Sequence, residues 1–279
     1  MSEHFVTGRA VDVAPQVCRL LAPNPSMMTG PGTNTYLLGQ KRSVVIDPGP
    51  PIAAHIDAIV ELSGGEVDAI LVTHTHPDHS PAAARLAKLT GAPLYGRPAP
   101  DGQHQDKTFV PDVVPEDGAL FAAADVSLRV LHTPGHASNH LCYLRESDGL
   151  LFTGDHIIDG STVVIDPPDG SMSEYLDSLA RLKNEPLKKI APGHGDLIPE
   201  PFSVIDWIIN HRLEREHKII AALRGRDPIS SKDLTRIVYA HVDERLYPVA
   251  ERSLLAHLLK LQVDRRATIS NDRWQLQDD

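Results

Sequence analysis

Residues 73–80 read THTHPDHS, directly after the apolar run AILV. The imidazoles of His74, His76 and His79 and the carboxylate of Asp78 fall within six positions. Imidazole and carboxylate groups together suit zinc and similar divalent ions. On a still-extended segment, residues two apart point the same way, so His74 and His76 share one direction. The turn that follows carries Asp78 and His79 to a second position. Such a cluster needs further ligands from elsewhere in the chain, and a sheet that gathers its loops along one edge can supply them.

Three later stretches fit that requirement. TPGH (133–136), FTGDH (152–156) and APGHG (191–195) each follow an apolar run, which makes His136, Asp155 and His194 candidate ligands. Glycine beside each permits a tight backbone turn. The runs SVVID (43–47), AILVTH (69–74), VSLRVLHT (126–133), LLFTGD (150–155) and KKIAPGHG (188–195) read as buried strands. SPAAARLAKLTG (80–91) reads as a helix with Ser80 as N-cap, Pro81 in the first turn and Gly91 at the stop, and SMSEYLDSLARLKN (171–184) as another beginning near Ser171 or Ser173. Alternating strands and helices predict α/β layering.

After about residue 200 the pattern changes. Residues 203–225 read as one helix, with Ile205, Ile208, Ile209, Leu213, Ile220 and Leu223 along its apolar side. Two more helical segments follow, then a short hairpin around Asn271-Asp272. Three helices and a hairpin outline a winged helix, so the expected division is a catalytic domain over residues 1–205 and a winged-helix-like domain over 206–279.

With 279 residues and 41% hydrophobic content the chain can bury a sizeable core. A net charge of −10 disfavours a general nucleic-acid or anionic-membrane binder. Cys18 and Cys142 are too few for a disulfide framework, and Cys142 reads as a buried structural thiol. There is no signal-peptide pattern and no spanning apolar stretch, which predicts a cytoplasmic protein with no membrane partner.

The order T-H-T-H-P-D-H, T-P-G-H, T-G-D and P-G-H-G resembles the metallo-β-lactamase-fold hydrolase superfamily, a four-layer αβ/βα sandwich. GPGTNTYLLG (30–39) and VVIDPG (44–49) are similar to its opening strands. The tail, STVVIDPPDG (161–170) and HRLEREHKI (211–219) together resemble its lactamase-beta-2-like branch, which carries a C-terminal winged helix. The resemblance implies two divalent ions, Zn2+ first, with Mn2+ and Fe2+ as alternatives. His74, His76 and His136 hold one, Asp78, His79 and His194 the other; Asp155 bridges them, and Asp47 steadies the first cluster from behind. The implied chemistry is hydrolysis by a metal-bridging hydroxide, with Asp78 and Asp155 in the catalytic set. His156 either serves that set as a proton donor to the leaving group or is a packing histidine. His132 and His140 read as structural, and His4, His55, His104, His241 and His257 as surface or helix-face residues. The acidic catalytic domain points to a small ester, thioester, lactone or amide as substrate. The lactamase-beta-2-like branch points instead to single-stranded RNA, with Arg265, Arg266 and Arg273 near the wing as phosphate contacts. The sequence does not fix the oligomeric state, and the resemblance makes a homodimer one candidate assembly.

Overall fold

The computed structural model describes residues 5–102, 104–123 and 125–277. These fall into two compact units. One comprises the chain up to Thr133, Asn139–Val163 and Glu185–Pro201; the other comprises Pro134–Ser138, Val164–Asn184 and the chain from Phe202 on.

In the first unit, β1 (Ala10–Ala14), β2 (Val17–Leu21), β3 (Asn34–Leu38), β4 (Ser43–Ile46), β5 (Val67–Leu71) and β6 (Leu94–Tyr95) form one sheet in sequence order. Its β4–β5 and β5–β6 pairs are parallel and the others antiparallel. A second sheet has the order β11 (Lys189–Pro192), β10 (Leu150–Gly154), β9 (Leu141–Arg145), β8 (Val126–His132) and β7 (Leu120–Ala123). Alternate residues of each strand serve different cores, as the period of two requires. Val44, Ile46, Ala69 and Leu71 join Val130, Tyr143 and Phe152 between the sheets. Val45, Ile70 and Val72 face the other way and pack with Ile56, Ile59 and Leu86 of α1 (Ala53–Leu62) and α2 (Ala83–Thr90). Burial on both faces explains why these strands read as unbroken apolar runs.

The expected strands are present, but they end short of the ligands, at Ile46, Leu71, Gly154 and Pro192. The helix expected from Ser80 starts at Ala83 instead. Ser80 does not cap it, because its hydroxyl donates to Asp106 Oδ2 at 2.7 Å. Gly91 ends it as expected, at φ 74°.

The second unit holds α3 (Met172–Leu182), α4 from Phe202 within Pro201–Leu223, α5 (Ser231–Val238), α6 (Tyr247–Val263) and the hairpin β12 (Ala267–Ser270)–β13 (Arg273–Leu276). Ser171 caps α3 by accepting from the amide of Glu174. The stripe on α4 differs from expectation. Ile205, Ile208, Ile219, Ile220 and Leu223 are buried, Leu213 is exposed, and the helical period places Arg212 and Glu216 on the buried side. These two are tolerated there because they are partnered: Arg212 lies 5.6 Å over the Tyr175 ring, and Glu216 pairs with Lys260 at 2.9 Å and Arg266 at 3.3 Å. Among the described residues, no helix is long and apolar enough to cross a membrane.

Trp274 anchors this core. Its ring is 2% exposed among Leu254, Leu258 and Leu261, and its backbone exchanges two hydrogen bonds with Ile229. Trp274→Ala is expected to cost about 3–5 kcal/mol. Chemical denaturation followed by Trp207 fluorescence checks it, and a loss below about 1 kcal/mol would contradict the packing described.

Candidate metal centre

Each ligand-type side chain stands just beyond a strand end, where the backbone has left the ladder. Asp78 and His79 follow β5, Asp155 follows β10, and His194 follows β11. Asp78 Oδ2, Asp155 Oδ1 and the Nε2 atoms of His79 and His194 face one another, with carboxylate-to-imidazole separations of 3.2–3.3 Å. Ligands about 2.0–2.1 Å from a tetrahedral ion stand about 3.3–3.4 Å apart, so the spacing matches a coordination shell. His79 Nε2 is buried and makes no hydrogen bond while it faces both carboxylates, which suits a cation.

In the first unit His74, His76 and Asp155 form a second set, each offering one ligand atom within 4.8 Å of the rest. His74 Nε2 and His76 Nδ1 are 3.0 Å apart. Six of the seven predicted ligands thus belong to one set or the other, Asp155 approaches both, and His136 lies in the second unit.

The imidazoles are held in fixed tautomers by the atoms behind them. His79 Nδ1–H donates to Asp47 Oδ2 at 2.8 Å, His194 Nδ1–H to the Gly32 carbonyl at 3.1 Å, and His136 Nδ1–H to the Val164 carbonyl at 2.8 Å. The Thr73 hydroxyl donates to Asp47 Oδ2 at 2.7 Å, so its oxygen accepts from His74 Nδ1–H at 3.0 Å. With Nδ1 engaged in each of the four rings, Nε2 is the nitrogen left to face a metal. Asp47 therefore steadies His79 directly and His74 through Thr73.

Sequence reasoning passed over several of these contacts. Thr33 Oγ1 donates to Asp78 Oδ2 at 3.0 Å. Asn34 Nδ2 donates to the carbonyls of Pro192 and Gly195, both at 2.9 Å, and so holds the turn bearing His194. Arg19 is buried and reaches the Gly195 carbonyl and Asp196 in the same turn. The only signal was a run of small polar residues, T-N-T, opening an otherwise apolar strand.

The charges divide along the same lines. Burial disfavours a proton on His74, and neighbouring His79, His76 and His140 lower its affinity further. Burial also opposes charge on His194, yet Asp155 and Asp78 outweigh it and raise the group to about 10. His79 is raised in the same way, against burial, by Asp78, Asp155 and Asp47. Asp78 and Asp155 are held below the usual carboxylate range, against burial, by His79 and His194. Any divalent cation entering here has to displace these protons.

The uncertain histidines separate clearly. His156 is fully buried with its ring 5.7 Å from that of His140, so it offers no solvent-facing atom to a leaving group. His140 is buried and stacks on His74 at 4.9 Å. His55 and His257 are buried rather than on the surface, His104 and His241 are exposed, and His4 lies outside the described residues. Cys142 is buried, forms no disulfide, and its sulfur lies 3.2 Å from Thr133 Oγ1.

Gly193 lets the set close. A Cβ there would lie 2.8 Å from Asp155 Oδ1 and 2.8 Å from His79 Cε1, two groups that cannot yield without moving ligands. Gly193→Ala is expected to retain the fold and weaken metal binding by about 10–100-fold, measured by equilibrium dialysis; wild-type affinity would contradict it.

Two sheets with histidines and aspartates along one edge define a class, and the sequence comparison agrees. Residues 28–194 match the model of the metallo-beta-lactamase superfamily, so the chain belongs to that superfamily. Residues 230–274 match the beta-lactamase-associated winged helix domain. The chain is 34% identical over 272 residues to the beta-lactamase-like protein 2 homolog of Drosophila melanogaster, covering 91% of this chain and 90% of the fly protein. It is 32% identical over 271 residues to an atrochrysone carboxyl ACP thioesterase of Aspergillus chevalieri, covering 91% and 83%. A crystal structure of a metallo-beta-lactamase family protein from Thermus thermophilus superposes with a TM-score of 0.79 at 22% identity, covering 95% of this chain and 99% of that one, which shows the shared fold. The fold implies divalent metal binding at the His/Asp sets described above.

Proposed function

We propose that this protein is a binuclear metal-dependent hydrolase acting on a small acyl substrate, a thioester first among the ester, thioester, lactone and amide class. The observation that carries it is the meeting of two donor sets at Asp155. Seven ligand-type groups shared between two cations leave coordination positions open, as catalytic rather than structural sites do. When bound, two such cations lower the pKa of a water and polarise the oxygen that gains charge. Zn2+ is the proposed metal, with Mn2+ or Fe2+ as alternatives. The protein's own part is to hold the imidazoles in one tautomer, through Asp47, Thr73 and the Gly32 carbonyl, and to keep Asp78 and Asp155 ionised. The thioester is favoured because a relative aligned over most of both chains is named as a thioesterase.

A second reading, a single-strand endoribonuclease, is favoured by the kinship with beta-lactamase-like protein 2 homologs. Two of the arginines it relies on are already engaged: Arg266 pairs with Glu216, and Arg273 donates to the Pro228 carbonyl. The test sets zinc- or manganese-loaded protein against a panel of acyl thioesters, read by thiol release, and against end-labelled single-stranded RNA. Thiol release by the wild type is the expected result. RNA cleavage with no thioester turnover would replace the first reading by the second.

A further inference from the structure

Asp47 adopts φ 49°, in the left-handed region that a non-glycine residue enters only when its surroundings hold it there. Part of that hold comes from its main chain. The Asp47 amide donates to the Leu71 carbonyl at 2.9 Å, and the Asp47 carbonyl accepts from Thr35 Oγ1 at 2.7 Å. The single hydroxyl hydrogen of Thr35 is committed to that carbonyl. Its oxygen, 2.9 Å from His55 Nε2, therefore accepts, and His55 must carry its proton on Nε2.

His55 is 2% exposed, and its Nδ1 is buried without a hydrogen-bond partner. Burial lowers its proton affinity to about 4, so the ring is neutral near pH 7. A leucine would fill the space without leaving a buried nitrogen unpaired, which costs free energy. What the histidine adds is the N–H aimed at Thr35. From there the path runs through the Asp47 carbonyl to its carboxylate, and on to His79 Nδ1 at 2.8 Å.

We propose that His55 is a positioning residue of the metal centre, acting through Thr35 on the backbone of Asp47 and thereby on the orientation of His79. The proposal rests on reading Asp78, His79 and His194 as metal ligands. It requires no contact between His55 and substrate or ion.

The test titrates Zn2+ alone into metal-stripped full-length protein against a chromophoric chelator, with thermal unfolding in parallel. Wild type is expected to bind two equivalents. His55→Leu is expected to weaken one of them about tenfold and leave the other within about twofold. His55→Gln, which keeps an N–H donor, is expected to recover most of that affinity. Thr35→Val interrupts the same path with a smaller change of volume, so it carries the test if His55→Leu does not fold. Unchanged affinity in the leucine and valine variants overturns the proposal. So does equal weakening in the leucine and glutamine variants that tracks loss of thermal stability, since that is the mark of a merely structural role. Wild type binding fewer than two equivalents overturns the ligand reading beneath it, a result distinct from either of those.

Discussion

Asp155→Ala is expected to leave a folded protein that binds less than two equivalents of metal and has lost at least about 10³-fold in kcat/KM, or about 4 kcal/mol of transition-state stabilisation. Asp155 Oδ1 lies 3.2 Å from His194 Nε2 and 3.3 Å from His79 Nε2, and the same residue belongs to the set with His74 and His76. No other described carboxylate belongs to that second set, so its loss removes a donor from both sets at once. The fold should survive because Asp155 lies beyond the end of β10, outside the core between the sheets. Asp155→Asn is the companion variant: it keeps the shape, removes the negative charge and should fall between wild type and alanine in metal content. Metal analysis of dialysed protein and thioester turnover are the two readouts. Two equivalents bound with turnover retained would contradict both the bridging position and the proposed hydrolysis.

The candidate ligands were legible in the sequence because ligand spacing is local chemistry. A reader needs only His74, His76, Asp78 and His79 in one turn, and Gly beside His136, Asp155 and His194, to expect a metal-binding edge. The winged helix was legible as three helical periods and a hairpin. What was not legible depends on distant parts of the chain. Ser80 is a good cap by type, yet Asp106 captures its hydroxyl from 26 residues away, and the helix starts two residues late. Leu213 looks like part of an apolar stripe, but the buried positions belong to Arg212 and Glu216, whose partners Tyr175, Lys260 and Arg266 lie on other elements. His55 follows PPIAA and looks superficial, whereas it sits beside Ile56 on the buried side of α1 and meets Thr35 of β3. His257 is likewise buried on α6, where Arg212, Arg215, Lys260 and His211 act on it. In each case the side chain type permits two environments, and long-range packing selects one.

Asp47 links these two kinds of information, and its removal should lower both stability and metal affinity. Its carboxylate accepts from the Thr73 amide at 2.7 Å, the Thr73 hydroxyl at 2.7 Å and His79 Nδ1–H at 2.8 Å, all in a buried setting. Asp47→Ala leaves three buried donors without an acceptor and places a side chain that cannot bond locally at φ 49°. The expected loss is about 3–5 kcal/mol, the range for breaking a buried charged network. Metal affinity should fall about 10–100-fold, because His79 loses the contact that sets its tautomer and His74 loses it at one remove through Thr73. Asp47→Asn separates the two effects. Asparagine tolerates the left-handed region and still offers one acceptor oxygen, so most of the stability should remain. Its amide group cannot accept from His79 as a carboxylate does, so the affinity loss should persist. Denaturant unfolding of the metal-stripped proteins gives the first quantity and zinc competition the second. If Asp47→Asn lost stability and affinity in proportion to Asp47→Ala, the carboxylate would be no more than a packing group, and the orientation of His79 would have to come from elsewhere.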